Sequence, residues 1–203
     1  MFTDWLRRVF GGIISAIVAS LARLGVHPNT LTIAGCLLQL GVGGVLGAGH
    51  LRLGGILLAA TSVLDAFDGA LARQRFGATR FGAFLDSCLD RVAEAGVLIG
   101  LGWYYLHQPG QTPELLIYVA LAGSLLVSYA RARAEGLGIR CRDGLFTRVE
   151  RTLLLVIGLV AGWVIPVLWI LAIGTVLTAL HRMVRVYLQV RDDPIEQAPT
   201  TQG

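Results

Sequence analysis

Apolar positions fill this chain in long uncharged blocks, and the blocks read as membrane-crossing helices. Such a helix needs about 20 mostly apolar residues. Leu31 to His50 carries no formally charged side chain and gives a first span. Leu53 to Leu64 is apolar and then meets Asp65 and Asp68, so a second span is interrupted near one end. Ala95 to Pro113 is uncharged and, with the turns before it, gives a third. Leu115 to Ala130 gives a fourth and ends in Arg131 and Arg133. Thr152 to Leu180 is uncharged for 29 residues, long for one span and short for two. Pro166 lies in its middle, after Gly162 and Trp163, and proline breaks helices. Two helices sharing a tight turn fit that stretch. The pattern predicts an all-α integral membrane protein with six transmembrane helices.

The first 24 residues follow a different pattern. Phe2, Trp5, Leu6, Val9, Phe10, Ile13, Ile17, Leu21 and Leu24 recur at helical spacing, with the polar residues largely elsewhere. This predicts an amphipathic interfacial helix over residues 1–25. A signal peptide is the competing reading, because Val9 to Ala22 carries no charge. Residues 26–190 form the predicted six-helix domain. Residues 191–203 form a polar tail expected to be disordered.

Composition narrows the class. Of 203 residues, 55% are hydrophobic and 15% charged, against about 25% charged in a soluble domain. Disorder is excluded, since disordered chains lack hydrophobic residues. An ordinary soluble domain would have too little polar material to coat its surface. All 17 basic residues are arginine. With six spans, every arginine except Arg52 falls on or near one side. The positive-inside rule makes that side cytoplasmic, with both termini there. A five-span chain would put Arg182, Arg185 and Arg191 outside. Cys36, Cys88 and Cys141 are widely spaced and odd in number, which suggests neither a disulfide framework nor a metal site.

Four aspartates stand in or beside apolar helices: Asp65, Asp68, Asp86 and Asp90. Charge in such a setting is expensive and points to function. Asp65 and Asp68 are i,i+3 and share one helix face; Asp86 and Asp90 are i,i+4 and share another. A short connection between antiparallel helices would bring both pairs together near the cytoplasmic surface. Four carboxylates there would repel unless cations sat among them. Their oxygens suit Mg²⁺ or Mn²⁺, and four suffice for two ions. Two metals can stabilise the attacking and leaving oxygens of a phosphoryl displacement. Structural ion pairs, such as Asp90 with Arg91, are the plainer reading. A calcium loop is excluded by spacing.

The segment Asp65-Ala-Phe-Asp68-Gly69-Ala-Leu-Ala72-Arg73, followed by Gly82, Asp86 and Asp90, resembles the signature of the CDP-alcohol phosphotransferases. Eight defining residues fall within 26 positions. The resemblance implies that an alcohol attacks the β-phosphorus of a CDP-linked lipid and CMP leaves. It implies Asp65, Asp68 and Asp86 as main metal ligands, and Asp90 as the base, also touching metal. It implies contacts to the CDP-lipid from Asp65, Asp68, Gly69, Ala72, Arg73 and Gly82, and from Pro28, Asn29, Thr30, Leu31 and Thr79. Taken alone, Asn29 and Thr30 read as a helix cap, and the glycines as packing residues. The resemblance also implies a homodimer in the cytoplasmic membrane.

Arg131, Arg133, Arg151 and Arg182 all fall at cytoplasmic helix ends. Such a cluster suits a phosphate on the acceptor; topology and salt bridges to Glu135 or Glu150 are the plain alternative. Within the family, the cluster resembles the branch that makes phosphatidylinositol phosphate from inositol phosphate. Arg131 stands where that branch commonly has lysine. The expected substrates are therefore CDP-diacylglycerol and a small phosphorylated alcohol, with no nucleic-acid partner. Glycerol phosphate is the alternative acceptor. A cation-coupled transporter is the alternative class, but it would show internal repeats and midplane charges.

Overall fold

The computed structural model describes residues 27–71, 79–108, 113–141 and 146–191. The expected interfacial helix over 1–25 and the tail beyond Arg191 lie outside them. The described residues form six helices and no strand. They are α1 (Pro28–Gly47), α2 (Leu51–Leu71), α3 (Arg80–Leu106), α4 (Pro113–Gly136), α5 (Arg148–Ala161) and α6 (Val164–Val190).

Local chemistry sets the boundaries. His27 caps α1, its Nδ1 accepting from the Asn29 amide at 3.3 Å. Pro28 takes the first position, where a missing N–H costs nothing. Thr79 caps α3, its Oγ1 accepting from the Gly82 amide at 2.9 Å. The uncharged stretch 152–180 breaks at Gly162, whose φ of 79° closes α5 in the left-handed region. The Trp163 amide then donates to the Gly158 carbonyl at 2.8 Å. Pro166 falls in the first turn of α6, where proline is tolerated.

The packing pairs join into a ring. α1 packs on α2 and α3, α4 on α3 and α6, and α5 on α2 and α6. Leu46, Leu58, Leu101, Ile117, Leu159 and Leu168 meet in the core, one from each helix. The closest approach joins α1 to α3. A Cβ on Gly43 would overlap the Gly96 carbonyl, and one on Gly100 would overlap the Gly43 backbone. Gly43/Gly47 and Gly96/Gly100 are both small-xxx-small pairs, which let membrane helices meet backbone to backbone.

The outer surface is apolar. Leu37, Ile56, Ile99, Leu115, Trp169 and Leu177 are each more than half exposed, as a protein solvated by lipid tails requires. α1, α4 and α6 are long and apolar enough to cross a membrane. At 1.5 Å per residue, α5 with its 14 residues is the shortest of the six.

Candidate active site

Three contacts put one end of the bundle together. The Asn29 Oδ1 and Thr79 Oγ1 converge on Gly82, where a Cβ would lie 3.2 and 2.9 Å from them. Asp90 on α3 pairs with Arg148 on α5 at 2.6 Å. Arg182 on α6 donates to the Val127 carbonyl on α4. The starts of α1, α3 and α5 and the later turns of α4 and α6 therefore share one end. The predicted lipid-nucleotide contacts Asn29, Thr79 and Gly82 do come together there. Thr79 and Gly82 are also cap partners, so capping and proximity coincide.

Asp86 is exposed and Asp90 half-buried on the first turns of α3. Asp65, Asp68 and Gly69 lie in the last turns of α2, but their side chains fall outside the described residues. Ala72 and Arg73 lie outside them altogether. Among the described residues no three His, Cys, Asp or Glu side chains gather as metal ligands, since only Asp86 and Asp90 of the four aspartates belong to that set. Asp86 and Asp90 nevertheless fit a divalent ion: one helix face offers carboxylate oxygens, the hard donors such ions take.

The four arginines divide. Arg131 and Arg133 are exposed at the end of α4, and Arg131 pairs with Glu135 at 2.9 Å. Such an exposed pair contributes little stability. Arg151 and Arg182 are buried, at 4% and 3% exposure. Arg182 lies within electrostatic range of Arg131, Arg151 and Glu135.

The ion pairs of Arg151 and Arg148 show two residues that sequence reasoning missed. Arg151 grips Glu94 on α3 with two bonds, Nε to Oε1 at 2.7 Å and Nη2 to Oε2 at 2.8 Å. Its Nη1 donates to the Phe146 carbonyl at 3.0 Å. Asp90–Arg148 and Glu94–Arg151 are two rungs of a ladder, advancing one turn on each helix in the same direction. α3 and α5 are not packed neighbours in the ring, so the ladder crosses its interior. The signal for Glu94 was available. It stands one turn after Asp90 in an apolar helix, where a carboxylate needs a reason. Arg148 had no such signal, since a loop arginine also satisfies the topology rule.

The described residues are an all-helical membrane bundle with Asp86, Asp90, Arg151 and Arg182 at one end. The chain belongs to the CDP-alcohol phosphatidyltransferase family, whose family-wide pattern matches residues 25–191. It is 34% identical to a phosphatidylinositol phosphate synthase of Mycobacteroides abscessus, over 87% of this chain and 84% of that one. It is 36% identical to an archaetidylinositol phosphate synthase of Methanothermobacter thermautotrophicus, over 83% and 87%. Its fold is similar to the crystal structure of Mycobacterium tuberculosis phosphatidylinositol phosphate synthase with CDP-DAG bound. That match has a TM-score of 0.82 at 30% identity, covering 86% of this chain and 94% of that chain. The same enzyme in complex with manganese and citrate matches with a TM-score of 0.81.

Proposed function

We propose that this enzyme transfers a phosphatidyl group from CDP-diacylglycerol to inositol phosphate, releasing CMP and forming phosphatidylinositol phosphate. One observation carries the acceptor assignment. The bacterial and archaeal relatives differ in the lipid half of their product names and share the inositol phosphate half. The arginines support it. Buried Arg151 and Arg182 lie at the bundle end that holds Asp86 and Asp90, and guanidinium groups suit a phosphate.

The proposed roles follow from the signature and from placement. Asp90 is the base that takes the acceptor hydroxyl proton. The hydroxyl oxygen attacks the β-phosphorus, and the bond to CMP breaks with the electron pair leaving on CMP. A hydroxyl is a weak nucleophile and needs such a positioned base. Asp65, Asp68, Asp86 and Asp90 would hold divalent cations, two Mg²⁺ or Mn²⁺ ions, which supply positive charge to the developing phosphate. Pro28, Asn29, Thr30, Leu31, Gly69, Ala72, Arg73, Thr79 and Gly82 would contact the CDP-lipid. Arg131, Arg133, Arg151 and Arg182 would hold the acceptor phosphate.

The proposed topology has six spans over residues 26–190, an interfacial helix over 1–25, and a polar tail. Both termini and the site face the cytoplasm across the cell membrane, and the enzyme is a homodimer. Arginine asymmetry supports the sidedness. The same-end contacts of α1, α3 and α5 agree with alternating helix directions.

The test is CMP release from CDP-diacylglycerol with inositol phosphate, using enzyme in lipid–detergent micelles. Asp90→Asn is expected to abolish turnover while CDP-diacylglycerol still binds. Unchanged CMP release would remove Asp90 from the base role.

A further inference from the structure

Among the described residues, Glu94 is the one carboxylate inside the bundle that the proposed chemistry leaves unused. It lies one turn beyond Asp90 on the same stripe of α3, so a fifth metal ligand is the first thought. Its bonding argues otherwise. Both carboxylate oxygens are engaged by Arg151, at 2.7 and 2.8 Å.

The donor count on Arg151 is informative. A guanidinium has five N–H donors in a fixed fork. Glu94 takes the Nε–H and one N–H of Nη2, and the Phe146 carbonyl takes one of Nη1. One N–H remains on each terminal nitrogen. Those two donors are left to serve an oxyanion. The same groups line part of a cavity of about 20 Å³, where Gln39, Glu94, Arg148, Arg151 and Thr152 face mostly apolar walls. It is large enough for about one water, and it sets polar groups from α1, α3 and α5 around one point.

A purely structural role explains this poorly. A buried ion pair is often no more stabilising than apolar residues of similar volume. An ionised pair inside an apolar bundle therefore signals function. We propose that Glu94 is a positioning residue for the acceptor phosphate. It clamps one edge of the Arg151 guanidinium across the bundle, so that the opposite end faces the phosphate. Its charge also balances Arg151, which lets that arginine sit buried. The proposal rests on the phosphorylated acceptor of the preceding section.

The experiment is steady-state kinetics of the full-length enzyme in lipid–detergent micelles, varying inositol phosphate and CDP-diacylglycerol separately. Glu94→Gln weakens a charge-assisted clamp, so the KM for inositol phosphate should rise about tenfold or more. The KM for CDP-diacylglycerol should stay within about twofold of wild type. In an Arg151→Gln background, Glu94→Gln should add nothing further, because Glu94 acts through Arg151. If Glu94→Gln alone does not fold, the comparison is Arg151→Gln, whose stranded Glu94 side chain keeps 16% exposure, against the double variant, which leaves neither charge of the pair behind. Equal rises in both KM values, or an undiminished Glu94 effect without Arg151, would overturn the proposal. Wild-type enzyme that releases no CMP with inositol phosphate would overturn the acceptor assignment and this proposal together. A working wild type with independent variants would overturn this proposal alone.

Discussion

Gly100→Ala tests the packing that holds the site's helices in place. The added Cβ would lie 2.5 Å from the Gly43 carbonyl carbon and 2.7 Å from its Cα. Carbon atoms rest at about 3.5–4.0 Å, so α1 and α3 must part by roughly 1 Å. A radial gap of that size forfeits about a quarter to a half of each contact's attraction. Overpacking of this kind costs about 1–3 kcal/mol, or on the order of 5 °C in Tm for a chain of this length. Gly44→Ala is the internal control, one residue along the same helix pair. A Cβ there meets nothing within 4 Å, and alanine is the better helix former by about 0.5–1 kcal/mol. Thermal unfolding of both variants in one detergent should lower the Tm for Gly100→Ala and leave it equal or higher for Gly44→Ala. Because Asn29 on α1 meets Gly82 on α3, Gly100→Ala should also weaken CDP-diacylglycerol binding. Equal Tm values for the two variants would refute the close-approach argument.

Other outcomes follow from the ion-pair ladder and the carboxylates. Arg151→Met leaves Glu94 buried without its partner, at a cost of about 3 kcal/mol, the low end for broken buried pairs, since the Glu94 side chain keeps 16% exposure. Glu94→Gln added to Arg151→Met should restore part of the lost Tm, and no recovery would count against the pair. Arg131→Gln breaks only an exposed pair with Glu135, so Tm should hold within about 1 °C while the acceptor KM rises; a large Tm loss would contradict its surface role. Chelation with EDTA should stop CMP release and readdition of Mg²⁺ or Mn²⁺ should restore it; persistent turnover would remove the cations from the mechanism.

Much of the helical order was legible because charge is rare in this chain. Asp65, Asp68, Asp86 and Asp90 stood out against apolar neighbours, and the arginines marked one side. The helix break near Pro166 was readable as well, although Gly162 rather than the proline makes the turn. Helix extent was less legible. The i,i+4 spacing of Asp86 and Asp90 carried the third helix back before the uncharged block at Ala95, but not its start, which is Arg80. Charge does not stop a helix when its carriers line one stripe and meet partners, as Asp90 and Glu94 do. The buried state of Arg151 and Arg182 was hidden for a related reason. An arginine at a cytoplasmic helix end satisfies the topology rule whether it faces water or the bundle. The glycine pairs of α1 and α3 were present in the sequence, but only the backbone contact distinguishes them from glycines such as Gly44, which meet nothing.

The central claim concerns the acceptor, and the most direct measurement is CMP release from CDP-diacylglycerol with inositol phosphate, inositol, glycerol phosphate and serine supplied in turn. The account predicts release with inositol phosphate and little with unphosphorylated inositol, because the buried arginines require the phosphate. Release that is equal with inositol, or greatest with glycerol phosphate, would contradict it.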